Sequence, residues 1–142
     1  MEKKKPFYAT PQDVESAFYD ALERGDLDAM MNAWAEDEEI ICVHPGGPRL
    51  AGFAAVMEAW RQILSRGPKM KFALTSQVHL QSMMLSVHSV HEHIVVAGES
   101  ASRPPVVATN VYLRGAMGWR MLVHHASLVP PEKVLDIPKV LH

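Results

Sequence analysis

The stretch Ala17–Gly52, AFYDALERGDLDAMMNAWAEDEEIICVHPGGPRLAG, decides how the rest of this chain is read. It holds two apolar stripes at helical spacing, a short run rich in β-branched residues, and a Pro/Gly loop entered through one histidine, His44. The loop Pro45–Arg49 fits neither a helix nor a central strand. Two helices, a strand and a loop that opens through an ionisable residue are how a small α+β pocket begins.

Upstream, Thr10 suits an N-cap, Pro11 the first helical position, and Asp13 the first turn. Val14, Ala17, Phe18, Ala21 and Leu22 share one helical face, and Gly25 is a natural stop. Asp26 caps a second helix carrying Leu27, Met30, Met31 and Trp34. Downstream, a third helix over about Phe53–Leu64 carries Val56, Trp60, Ile63 and Leu64. From Met70 the pattern changes to strands, at Met70–Leu80, Ser86–Gly98, Pro105–Arg114 and Gly118–Leu128. A short Gly115–Gly118 turn makes the last two a hairpin. Helices first, then a run of strands, predict an α+β fold with three helices packed on one face of a curved antiparallel sheet. Residues 1–9 are expected to be a flexible lead, 10–129 the domain, and 130–142 a proline-bearing tail strapped over the surface.

Composition bounds the function. A chain of 142 residues with 48% hydrophobic and 21% charged residues suits one globular domain. Lys+Arg number 14 against Asp+Glu 16, so there is no basic excess for a phosphate backbone and no nucleic-acid partner is expected. Lys3–Lys5 reads as a solvated terminus. The lone Cys42 suits a reducing compartment, no run approaches the ~20 apolar residues of a membrane span, and the N-terminus lacks an apolar signal core. A cytoplasmic protein with no membrane contact is expected.

Several short motifs carry a resemblance across about Thr10–Leu128. They are G-D-L-D at Gly25–Asp28, the turn at His44–Gly47, Gly52 before the third helix, and G-W-R…H-H-A-S at Gly118–Ser127. With them the chain resembles the ketosteroid isomerase/nuclear transport factor 2 superfamily, and within it the SnoaL-like, DUF4440-type proteins. The resemblance implies a cone-shaped fold of the nuclear transport factor 2 (NTF2) type and a homodimer through the sheet face. It places His44 where the isomerases carry a general-base aspartate. Phe18 stands where they have an oxyanion-binding tyrosine, and Thr109 or Asn110 near their second, acidic donor. A phenyl ring donates no hydrogen bond, so steroid isomerisation is not expected.

His44 is the leading candidate for proton transfer, because an imidazole titrates near pH ~6.5. Adjacent strand residues face opposite ways, so only one of His124 and His125 can join it. Strict alternation groups His125 with Trp119, Met121 and Val123, and favours His125 as the second candidate. Phe18, Trp34, Trp60, Glu92, Asn110, Tyr112 and His124 are the expected lining of a mostly apolar pocket. Tyr19, about 100° around the helix from Phe18, is not expected to supply a phenol there. Arg49 reads as solvated.

His91 and His93 form an H-x-H pair to which His44 or a C-terminal histidine could add a metal ligand, but a hydrogen-bonded or solvated face is the better reading. No H-E-x-x-H, cysteine cluster, P-loop or G-x-G-x-x-G is present, and neither metal nor cofactor is expected. Cys42, in an apolar strand without a basic neighbour, is a poor nucleophile. Two functions fit. One is a pocket for a small apolar organic ligand, with isomerase-, dehydratase- or cyclase-like proton transfer at His44. The alternative is a non-catalytic ligand-binding or assembly module.

Overall fold

The computed structural model describes residues 4–129; the expected tail at 130–142 lies outside them. Helix α1, Pro11–Arg24, starts where Thr10 Oγ1 accepts the Asp13 N–H at 3.0 Å and stops at Gly25 in a left-handed turn (φ 67°). Helix α2, Leu27–Asn32, is capped by Asp26, which accepts the Ala29 N–H. Helix α3 spans Phe53–Arg66 and ends at Gly67.

The strands are β1 Ile41–Val43, β2 Arg49–Ala51, β3 Met70–Gln81, β4 Leu85–Val96, β5 Val106–Gly115 and β6 Gly118–Leu128. They form one six-stranded sheet in the order β2-β1-β6-β5-β4-β3. All neighbours are antiparallel except β1 and β6, which run parallel, so the sheet is mixed at one pair. The turn at His44–Gly47 does not simply wander: it returns the chain as the edge strand β2, paired to β1.

The core lies between the helices and one sheet face. Phe18 is its hub, with ring centroids 4.8 Å from Tyr19, 5.6 Å from Trp60, 6.3 Å from Trp34 and 4.9 Å from His124. Edge-to-face contact dominates, which suits the ring quadrupoles. Both Phe18 and Tyr19 are buried, so α1 is covered over a wider arc than its apolar stripe implies.

Two bulges reset which residues face this core. In β6 the register jumps between Val111↔Val123 and Tyr112↔Met121, leaving Leu122 as the extra residue. Trp119 and Met121 therefore share the buried face with His124 and Ala126, while His125 is exposed on the other face. Strict alternation gives the opposite assignment. In β3 a second bulge between Thr75 and Val78 contains Ser76 at φ 51°. The expected lead is also partly docked. Tyr8 bridges Gly118, its carbonyl accepts the Trp119 N–H at 2.8 Å, and Arg120 lies 4.8 Å above the Tyr8 ring.

Candidate functional site

Beneath α1 the inward residues of β4, β5 and β6 build a buried polar layer. His124 Nδ1 and Asn110 Oδ1 lie 2.6 Å apart, Asn110 Nδ2 donates to the Tyr19 hydroxyl at 3.0 Å, and that hydroxyl donates to Glu92 Oε2 at 2.5 Å. The chain has one consistent direction. A carboxamide oxygen only accepts, so His124 carries its proton on Nδ1 and keeps a lone pair on Nε2. Burial pushes His124 down to about 3, with the charges of His44 and His125 adding to the effect. The ring is neutral at pH 7. At the other end burial raises Glu92 to about 7, against the hydrogen bond from Tyr19. Burial first, then the Glu92 charge, pushes the Tyr19 phenol well above its usual value.

His44 follows β1 directly and is half-buried. Its ring centroid is 4.7 Å from Trp60 and 6.5 Å from His124, and Trp60 is 6.1 Å from His124. The three rings form one group at the His124 end of the layer. Burial lowers the His44 pKa, so it too is a neutral imidazole at pH 7. The Trp60 indole N–H is buried and has no hydrogen-bond partner. A buried indole normally finds one, so this donor next to two imidazoles is chemically notable. Cys42 Sγ lies 3.5 Å from His44 Nε2, so the thiol does have a basic neighbour. Burial nevertheless pushes the thiol up to about 12, and it stays protonated.

The expected lining residues Phe18, Trp34, Trp60, Glu92, Asn110, Tyr112 and His124 are all buried in the interior. Glu92, Asn110 and His124 belong to the chain just described, and Phe18 and Trp60 flank His124. Tyr112 instead joins a second cluster, donating to Glu15 Oε2 at 3.3 Å. Trp34 packs on Phe18, and its indole N–H is also buried without a partner. His125 does not meet His44 across this layer. Arg49 is exposed. His91 and His93 lie outward on β4, with His93 Nε2 2.6 Å from Thr75 Oγ1. Two strands separate β4 from β1, so His44 cannot complete a metal site with them. A depression of about 180 Å³ lies elsewhere, against Trp34, Met117 and Arg120.

Sequence reasoning set Tyr19 aside, although its hydroxyl joins the buried chain, and passed over Glu15, Ser86 and His79. For Tyr19 the signal was present in the i, i+4 pairing of Glu15 with Tyr19 on α1, which aims two polar groups at one face.

Three helices closed over one face of a mostly antiparallel sheet, with a polar layer between, define a protein of the NTF2-like class. The SnoaL-like domain family matches residues 12–131, and the chain belongs to that family. A candidate calcium/calmodulin-dependent protein kinase type II association domain from Thiobacillus denitrificans is 38% identical, with a TM-score of 0.82 over 88% of this chain and 99% of that one. A candidate dehydratase of the NTF2-like family from Streptomyces avermitilis is 31% identical, with a TM-score of 0.76 over 83% of this chain and 92% of that one. The F-box protein SKIP8 of Arabidopsis thaliana is 24% identical over 129 residues, covering 88% of this chain and 53% of SKIP8. The chain thus spans about half the length of that curated relative.

Proposed function

We propose that the His44–Trp60–His124 group binds a small, mostly apolar organic molecule with one carbonyl or hydroxyl handle, and that His44 moves a proton on it. The observation that carries this reading is the buried, unpartnered Trp60 N–H beside two neutral imidazoles. An oxygen handle would accept from Trp60, His124 would offer only an acceptor, and the half-buried His44 would act as base. Burial leaves both rings neutral at rest, so His44 starts in the form that accepts a proton. The reading therefore leans to proton abstraction of the isomerase type over acid-assisted loss of water. The candidate dehydratase relative supports a proton-transfer role in this family. No helix among the described residues is long and apolar enough to cross a membrane, and the single free thiol fits the cytoplasm as the compartment.

The test is hydrogen–deuterium exchange at the α-carbon of small cyclic ketones, followed by NMR with the whole protein. Wild type should accelerate exchange, and His44→Gln should lower the acceleration by about 10²–10⁴-fold. Trp60→Phe should weaken ketone binding while the fold is retained. No saturable shift of the His44 and His124 ring signals with any ketone tested would sink the ligand reading.

A second reading is favoured by a separate observation. Ile41, Val123, Val111 and Val87 pair in register across four strands on the face away from the helices. This apolar row supports a homodimer through the sheet face, with the association-domain relative as a precedent for assembly. The two readings are compatible, since they use opposite faces of the sheet.

A further inference from the structure

A second group of ionisable side chains lies beyond the His44 site, at the β3–β4 end of the sheet. Glu15 and His88 are buried, and His79 is exposed. His88 Nδ1 is 2.8 Å from Glu15 Oε2, and Tyr112 donates to the same oxygen at 3.3 Å. One ligand-capable atom from each of Glu15, His79 and His88 lies within 4.8 Å of the other two. We propose that these three residues form a site for a divalent transition metal of the zinc class, open at its fourth position.

Four observations converge. The donor set is two imidazoles and one carboxylate, which is the ligand set of open, water-bearing zinc sites. His79 is there because of the β3 bulge. Before it, Phe72 and Leu74 face the core; after it, the odd-numbered His79 stands opposite His88 on the same face. The Ser76 backbone is held in a left-handed turn at that point, and such strain collects at functional positions. Two polar atoms beside the cluster, His88 Nε2 and Ser86 Oγ, are buried without partners on the inward face of β4. Finally, the Tyr112 hydroxyl orients the carboxylate, as outer residues do for metal ligands.

The exposed His79 provides the entry path. Its ring stacks on His88 with centroids 3.9 Å apart and planes 21° apart. In-plane lone pairs of stacked rings do not converge, so His79 must swing on its χ angles to share an ion. It is free to do so at the sheet rim, where its hydrogen bond is to the neighbouring Gln77 side chain. A cation held between His88 Nδ1 and Glu15 Oε2 would replace the hydrogen bond that those two atoms share.

The experiment titrates the full chain with Co²⁺ alone and follows its d–d absorption, with Zn²⁺ displacement as a second readout. One equivalent should bind, with intense bands of low coordination number, and Zn²⁺ should abolish them. His79→Ala, at an exposed position that leaves the core intact, should lose the bands. Tyr112→Phe should weaken binding about 10–100-fold. A His91→Ala/His93→Ala double variant should bind as wild type does. No binding by wild type, binding unchanged in His79→Ala, or loss in the double variant would each overturn the proposal. Ketone exchange at His44 is read separately, so failure of one site leaves the other standing.

Discussion

Glu92 and His124 sit at opposite ends of one hydrogen-bonded chain, and their titrations act on stability in opposite senses. The folded protein holds the Glu92 proton more tightly than the unfolded chain does, its pKa rising from 4.5 to about 7. That contribution is fully present below about pH 4.5 and is lost as pH rises through 7. His124 falls from 6.5 to about 3, so its contribution is present above pH 6.5 and is lost as pH falls toward 3. Between pH 5 and 7 each slope amounts to about 2 kcal/mol, and the two nearly offset. Glu92→Gln keeps an acceptor for Tyr19 and removes one slope. Urea denaturation should show the variant gaining about 2 kcal/mol on wild type between pH 5 and pH 7. An unchanged difference across that window would mean that Glu92 ionises normally.

The same residues show what a sequence can and cannot say. His44 was legible because a strand followed by Pro-Gly-Gly fixes a turn there, whatever the rest of the fold does. The choice between His124 and His125 was not legible, because it hangs on the one extra residue at Leu122. A one-residue slip moves every later side chain to the other face. The apolar pattern of β3 misleads in the same way. Phe72 and Leu74 continue in phase to Val78 and Leu80, yet the bulge turns the latter pair outward, where they are 55% and 66% exposed. Bulges depend on the partner strand, and one strand's alternation does not record them.

At the scale of elements, helix limits were legible because caps are local. Thr10, Gly25 and Asp26 each act within one turn of their own position. The β5–β6 hairpin was legible for the same reason. The parallel pairing of β1 with β6 joins segments about 80 residues apart in sequence and has no local signature. The docking of Tyr8 on β6 is equally non-local, and it rests on Gly118. At φ 90° a side chain there is strained, and an added Cβ would meet the Tyr8 carbonyl oxygen at 2.5 Å. Gly98 has a similar φ of 87° with nothing within 4 Å, so it isolates the backbone effect. Gly98→Ala should cost about 1–3 kcal/mol, as a non-glycine in that region does. Gly118→Ala should cost measurably more in the same denaturation experiment, because the N-terminal segment must also move. Equal losses would show that Tyr8 does not rest against β6 in solution.

At the scale of the whole molecule, the sheet has two unlike faces. Its helix-covered face holds His88, His124 and the polar layer; the opposite face carries the row Ile41, Val123, Val111 and Val87. The next row, Val43, His125, Thr109 and Ser89, is more polar and would rim that patch. A sheet face with no helix over it exposes these β-branched side chains to water unless another surface covers them, and a second copy offers the same row in return. A stable pairing of this kind buries about 800 Å² per partner, which needs the whole central sheet rather than one strand edge. A lysine at the centre of the row would bring two like charges together across the two-fold axis. Wild type should therefore show a dimer mass by light scattering across the micromolar range, and Val111→Lys a monomer mass. The lysine points away from the core, so the variant should keep the wild-type circular dichroism and its ketone binding at His44. A monomeric wild type would remove the dimer, and a dimeric Val111→Lys would move the interface to another surface.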